Sequence, residues 1–130
     1  MASIFSKIIK GEIPCYKIAE DEKHFAFLDI NPAAKGHTLV IPKKETDYIF
    51  DLDSTELQEL IAFARPIARA LDSAFSPLRT GIMVEGLEVP HAHIHLIPVY
   101  HKAQNFSLGK KEDFSSDEMA EIASQIRNAL

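Results

Sequence analysis

The sequence predicts an α+β fold, and three observations lead there. Five extended runs, near residues 14–20, 24–30, 37–43, 79–85 and 91–98, are bounded by Gly, Pro, Asn or Asp punctuation. Two segments open with capping-box patterns, and the first continues with apolar residues at helical spacing. At 130 residues, 46% hydrophobic and 25% charged, the chain suits a single domain, residues 1–130, with a real core.

Taken in order, Ser3 can cap a short helix running to about Ile9, with Ile4, Phe5, Ile8 and Ile9 as its apolar face and Gly11 as its stop. Pro14 begins an extended run through Glu20, and Asp21-Glu22-Lys23 reads as a turn. His24 to Ile30 alternates imperfectly and ends before Asn31-Pro32, which opens a loop. Asp29, at this strand end, fits a cap for the following turn. Gly36 allows a tight turn before His37 to Lys43, a buried strand with Lys43 and Lys44 at its solvated end. Asp53-Ser54-Thr55-Glu56 is a capping box. Leu57, Leu60, Ile61, Ala64, Ile67, Ala68 and Leu71 follow as the core face of a helix reaching about Phe75, which Pro66 is expected to bend. Arg79 to Glu85 fits a strand leading into the loop Gly86-Leu87-Glu88-Val89-Pro90. Val99 to Gly109 reads as loop, with His101 at the surface. Ser115-Ser116-Asp117-Glu118 starts a last helix to about Asn128.

The densest chemical signal is His91-Ala92-His93-Ile94-His95-Leu96-Ile97-Pro98, which places three of the six histidines at alternate positions. On a strand, His91, His93 and His95 share one face, while Ala92, Ile94 and Leu96 face the core. An inert, partly exposed face is the plainest reading, but histidine is not a favoured strand residue. A metal site is a second reading. The outer pair, however, is separated by roughly 13 Å at about 3.3 Å per residue, too far for one zinc to bridge. Adjacent pairs could chelate only with a third ligand from elsewhere. In the third reading, phosphoryl chemistry, one imidazole attacks phosphorus while its neighbours neutralise the phosphate oxygens.

Composition excludes several classes. The net charge of −5, with no basic run, argues against nucleic acid as the main partner. No apolar run approaches the roughly 20 residues of a membrane span, and Met1-Ala2-Ser3-Ile4-Phe5 is unlike a signal peptide. Cys15 is the only cysteine, so no intrachain disulfide can form, and a cytoplasmic location is expected.

His91 to Ile97 resembles the signature of the histidine triad (HIT) family, His-x-His-x-His followed by two apolar residues. Three more blocks are similar to that family: Ile8-Ile9-Lys10-Gly11-Glu12-Ile13-Pro14, Ala26-Phe27-Leu28-Asp29-Ile30 and Gly36-His37-Thr38-Leu39-Val40-Ile41-Pro42-Lys43. The resemblance spans roughly residues 3 to 98 in the family's order. It implies a HIT-like fold, an antiparallel sheet of about five strands with a long helix and a C-terminal helix, and a homodimer. It also implies a nucleotide hydrolase acting at the α-phosphate of a nucleoside monophosphate, a purine nucleotide being the expected ligand. Ile4, Phe5, Ile8, Phe27, Ile30 and Leu39 would wall the base pocket, and Asp29 would accept hydrogen bonds from both ribose hydroxyls. His93 would be the nucleophile, forming a nucleotidyl-histidine, with its near nitrogen held by the backbone carbonyl of His91. His95 would donate to a phosphate oxygen. His37 would hydrogen-bond with His91, the two completing the polar wall. No cofactor or metal is required.

Two departures from the family pattern stand out. Many members have a Cys-x-x-Cys that helps bind zinc, where this chain has Ser3 and Ser6; hydroxyls are poor zinc ligands beside thiolates, so no zinc is expected. Leu87 and Glu88 replace the glutamine and hydroxyl residue that usually bind the phosphate or leaving group, in a shortened loop. A phosphoramidase and a dinucleoside polyphosphate hydrolase are therefore both open. A nucleotide-binding sensor with little turnover is the alternative from another class, and a metal-dependent hydrolase is a third.

Overall fold

The computed structural model describes residues 2–130; Met1, where the segment compared with a signal peptide begins, lies outside them. A short helix α1 (Ile4–Ile9) leads into β1 (Lys17–Glu20), β2 (His24–Leu28) and β3 (Thr38–Pro42). A 3-10 turn (Ile49–Asp51) precedes the long helix α2 (Ser54–Phe75), then β4 (Arg79–Met83), β5 (Ile94–Val99) and the C-terminal helix α3 (Ser116–Ala129). The five strands form one sheet in the order β1-β2-β3-β5-β4, antiparallel at every pairing. The α+β architecture expected from the sequence is the one observed.

Local chemistry places the helix ends. Asp53 accepts from the Glu56 amide at 2.8 Å while the Glu56 carboxylate accepts from the Asp53 amide at 3.0 Å, so the first capping box is closed in both directions. Ser115 and Glu118 do the same for α3. α2 continues through Pro66 to a left-handed cap at Ser76. Asp21 accepts from the amides of Lys23 and His24 and holds the β1–β2 turn.

The sheet is covered on both faces, which explains the imperfect alternation of β2: all five of its residues are buried. Ala26, Leu28, Val40, Ile94 and Leu96 pack with Leu60, Ala64, Ile67 and Leu71 of α2 and Ile122 and Ile126 of α3. Phe25, Phe27, Leu39 and Ile41 face the other way and pack with Phe5 of α1. Two glycines are required by contact. Gly36 has φ +90°, and a Cβ there would lie 3.1 Å from Leu71 and Phe75 of α2. At Gly81 a Cβ would lie 2.6 Å from the Phe106 ring, which seats the segment after β5 against β4.

One expectation needs correction. The fifth strand does not begin at His91; its ladder starts at Ile94. The amides of His91 and Ala92 turn away to the carbonyls of Val89 and Thr46, at 2.8 and 2.6 Å. Ala92, Ile94 and Leu96 nevertheless all enter the core, as the alternation predicts.

Ile94 is fully buried at 0% exposure, between two histidines of the signature. Ile94→Ala is expected to cost about 2–5 kcal/mol, read as a lower urea midpoint with an unchanged slope. An unchanged midpoint would show that this side chain is not part of the core.

Candidate active site

The strands bring the histidines into the sheet's interior, with His37 at 1% exposure, His91 at 0%, His93 at 6% and His95 at 5%. Each ring has a partner that fixes where its proton sits. His93 Nδ1 lies 2.7 Å from the His91 carbonyl, which can only accept, so Nδ1 holds the proton and Nε2 keeps its lone pair. The Ala33 amide donates to His37 Nδ1 at 2.9 Å, so the His37 proton is on Nε2. His37 Nε2 in turn lies 2.9 Å from His95 Nδ1 and donates to it. The proton of His95 is therefore on Nε2, which is buried and has no partner. Two adjacent imidazoles, with ring centroids 4.8 Å apart, thus present opposite functions: a lone pair on His93 and an N–H on His95.

His91 plays a different part. Its Nε2 donates to the Pro42 carbonyl at 2.7 Å, so its Nδ1 accepts from the Ser3 hydroxyl at 2.8 Å. This corrects the expected pairing of His37 with His91: His37 bonds the third histidine, not the first. Register gives the reason. Leu39 is opposite His95, so His37, two residues before Leu39, is a diagonal neighbour of His95. His91 lies at the other end of β3, beside Pro42. Nor does His91 complete the polar wall; His93 and His95 line the cavity and His91 does not.

That cavity, of about 570 Å³, brings together the residues expected around a nucleotide. Ile4, Phe5, Ile8, Phe27, Ile30 and Leu39 all line it, and so does Asp29. Asp29 satisfies its bland reading as well: one carboxylate oxygen accepts from the Asn31 amide at 2.8 Å and caps the turn. The other lies 3.5 Å from His37 Nε2. Phe5 meets His93 edge-on with centroids 5.0 Å apart, so α1 both walls the cavity and steadies the ring. Several lining residues had no signal in the sequence reading. Ile13, Pro14 and Cys15 line it just ahead of β1, and Ser107, Leu108 and Gly109 come from the segment read as plain loop. The ring packing of Phe106 on Gly81, a long-range contact, brings that segment in.

Burial sets the electrostatics. It pushes the His95 imidazolium down to about 3, helped by His93 and His37, and His37 down to about 4, helped by His93. Burial also lowers His93, against the opposing hydrogen bond to the His91 carbonyl. At neutral pH the empty site therefore holds neutral rings. The Asp29 carboxyl is raised, first by burial and further by Glu88.

Two places in this geometry invite a metal, and neither fits one. Asp29, His37 and His95 offer atoms within 4.8 Å of one another, the one such group among the described residues. The Ala33 amide, however, occupies His37 Nδ1 and leaves the proton on Nε2, the atom that would have to ligate. At the family's zinc position, the Ser6 hydroxyl donates to Glu45 at 2.7 Å, the Ser3 amide donates to the same oxygen at 2.6 Å, and the Ser3 hydroxyl is held by His91. These hydrogen bonds draw Glu45 down to about 2. Two hydroxyls engaged this way do not fit zinc, which favours thiolate and imidazole donors.

Comparison with known proteins gives the family. The family model of the HIT domain matches residues 10–102. The chain belongs to the HIT family. Similar HIT proteins include the "Protein hit" of Bacillus subtilis, 36% identical over 98% of this chain and 93% of that one. An adenosine 5′-monophosphoramidase of Schizosaccharomyces pombe is 30% identical over 100% of this chain and 99% of its own length. The crystal structure of a Hit-like protein from Bartonella henselae superposes with a TM-score of 0.86 at 35% identity, covering 98% of this chain and 96% of that one.

The neutral histidines have a consequence for stability. In the unfolded chain they bind protons near pH 6.5, whereas in the folded protein they do so only well below it. Between pH 6.5 and about 4 the unfolded state binds more protons, so stability falls as pH falls through that window. Urea unfolding at pH 7 and pH 5 is expected to show a lower midpoint at pH 5, with a smaller difference in His37→Gln. Equal midpoints for the parent would contradict the neutral assignment.

Proposed function

We propose that this HIT protein is a nucleotide hydrolase that cleaves a phosphoramidate, ester or anhydride bond at the α-phosphate of a nucleoside monophosphate. The observation that carries the reading is the pairing of a His93 lone pair with a His95 N–H at one cavity. A nucleophile and a phosphate-oxygen donor are the two functions this displacement needs. The similarity to an adenosine 5′-monophosphoramidase supports the same reaction class.

In this reading the apolar end of the cavity holds a purine base and Asp29 holds the ribose. The phosphate anion, once bound, raises the proton affinity of the His37–His95 pair, so the complex takes up a proton that the empty site lacks. His93 Nε2 attacks phosphorus. A nitrogen–phosphorus bond forms as the bond to the leaving group breaks, and His95 passes its Nε2 proton to the departing atom. Water then attacks the nucleotidyl-histidine, returns a proton to His95 and releases the nucleoside monophosphate with His93 neutral again. His91 acts from behind through its carbonyl. The exposed edge strand β4, with Leu78 and Ile82 open to solvent beside it, supports a homodimer.

The loop Glu85–Val89 favours one rival. Leu87, 83% exposed, and Glu88 stand where hydroxyl or amide donors would help the chemistry, which suits a sensor that binds nucleotide with little turnover. Intact-protein mass spectrometry after brief mixing with adenosine 5′-phosphoramidate separates the two. The parent is expected to gain one nucleotidyl mass and release monophosphate over time, and His93→Ala to do neither. Binding of adenosine monophosphate without adduct or turnover would establish the sensor instead, and an adduct on His93→Ala would mean another nucleophile.

A further inference from the structure

Three carboxylate residues line the cavity, Asp29, Glu85 and Glu88, and no lysine or arginine does. Its histidines are lowered from their ordinary values, so the empty site offers no standing cation for an anionic substrate. The carboxylates are not evenly placed. Asp29 is engaged by the Asn31 amide and lies beside His37, whereas Glu85 and Glu88 come from the loop between β4 and β5. Both lie close enough for their fields to reach His93, and that of Glu88 reaches Asp29 as well. Among the described residues neither takes part in an ion pair. The phosphate position is marked independently by His95 Nε2, the buried donor that has no partner. With the base read against the apolar lining and the ribose against Asp29, Glu85 and Glu88 are the two lining carboxylates left for the departing group.

Building on the hydrolase reading above, we propose that Glu85 and Glu88 form a leaving-group subsite that selects amines bearing a second, positively charged nitrogen. The substrate class is the nucleoside 5′-phosphoramidates of diamines and similar basic amines. The phosphorus–nitrogen bond breaks, the departing nitrogen takes its proton from His95, and the distal ammonium stays beside the two carboxylates throughout. A neutral amine gains nothing from them. A dinucleoside polyphosphate brings further negative charge against them with no cationic side chain to offset it.

The test compares three substrates: the adenosine 5′-phosphoramidate of 1,4-diaminobutane, that of pentylamine, which has the same length and no charge, and diadenosine tetraphosphate. The parent is expected to favour the diaminobutane compound over the pentylamine compound by roughly 3- to 10-fold in kcat/KM, the range two exposed carboxylates can supply. That ratio should shrink as salt is raised. In Glu85→Gln/Glu88→Gln it should fall to about 1, and Glu88→Lys should shift preference toward diadenosine tetraphosphate, a change that loop damage alone would not produce. Equal turnover of the two phosphoramidates by the parent, or a ratio that survives the double substitution, overturns this proposal and leaves the hydrolase reading standing. Turnover of none of the three overturns both.

Discussion

The hydrogen bond from His37 Nε2 to His95 Nδ1 is the constraint on which the rest of the site depends. It has a direction only because the Ala33 amide already occupies the other nitrogen of His37. An isolated imidazole exchanges freely between tautomers, and a site built on one would present a donor and an acceptor by turns. Here a backbone N–H starts the chain and the buried, unpartnered N–H of a cavity-lining ring ends it. The same logic runs in the opposite sense at His93, where a backbone carbonyl demands a donor and so leaves a lone pair at Nε2. The backbone thus writes opposite proton positions into two side chains of one type, two residues apart.

α1 reaches the same centre by another route. Ser3 caps the helix by accepting from the Ser6 amide, and its hydroxyl also donates to His91. His91 is held at its far side by the Pro42 carbonyl of β3. Helix, first histidine and central strand are therefore joined by consecutive hydrogen bonds, and the carbonyl that orients His93 belongs to the residue so anchored. Phe5, in the first turn of the same helix, adds its ring edge against His93. Glu45 ties the two serines together from outside. The serines in this position act as donors and acceptors in a hydrogen-bonded joint between α1 and the strands.

Much of this was legible in the sequence. The capping boxes at Asp53 and Ser115 predicted both long helices because capping depends on side chains three residues apart, information held entirely in local order. The alternation around Ile94 likewise predicted which side chains enter the core, and the resemblance to the HIT family grouped Asp29, Phe27, Leu39 and the α1 residues around one cavity. What failed was pairing across the sheet. Nothing local to His37 says whether its neighbour is His91 or His95; only the β3–β5 register decides, by setting Leu39 opposite His95. The same holds for Ser107 to Gly109, which reach the cavity because Phe106 finds the surface left bare by Gly81, more than twenty residues earlier. Long-range contacts between unremarkable residues leave no periodicity to read.

Two walls of the cavity have separate structural origins, and this bears on how its chemistry can vary. One wall of the cavity is made by α1, β2 and β3, whose residues are also core: Phe5, Phe27 and Leu39 cannot change without disturbing the packing that holds the sheet. Another wall is made by the loop between β4 and β5, where Glu85, Leu87 and Glu88 are exposed and bear no packing load. Gly86 alone has a backbone requirement there, at φ +77°. The side chains of Glu85, Leu87 and Glu88 can be exchanged at almost no cost in stability, because their surroundings in the folded and unfolded chains are nearly the same. The charge of that wall is thus adjustable while the α1–β3 wall and the tautomer relay stay fixed. The acidic residues at this position are a variation the fold permits on its least constrained wall.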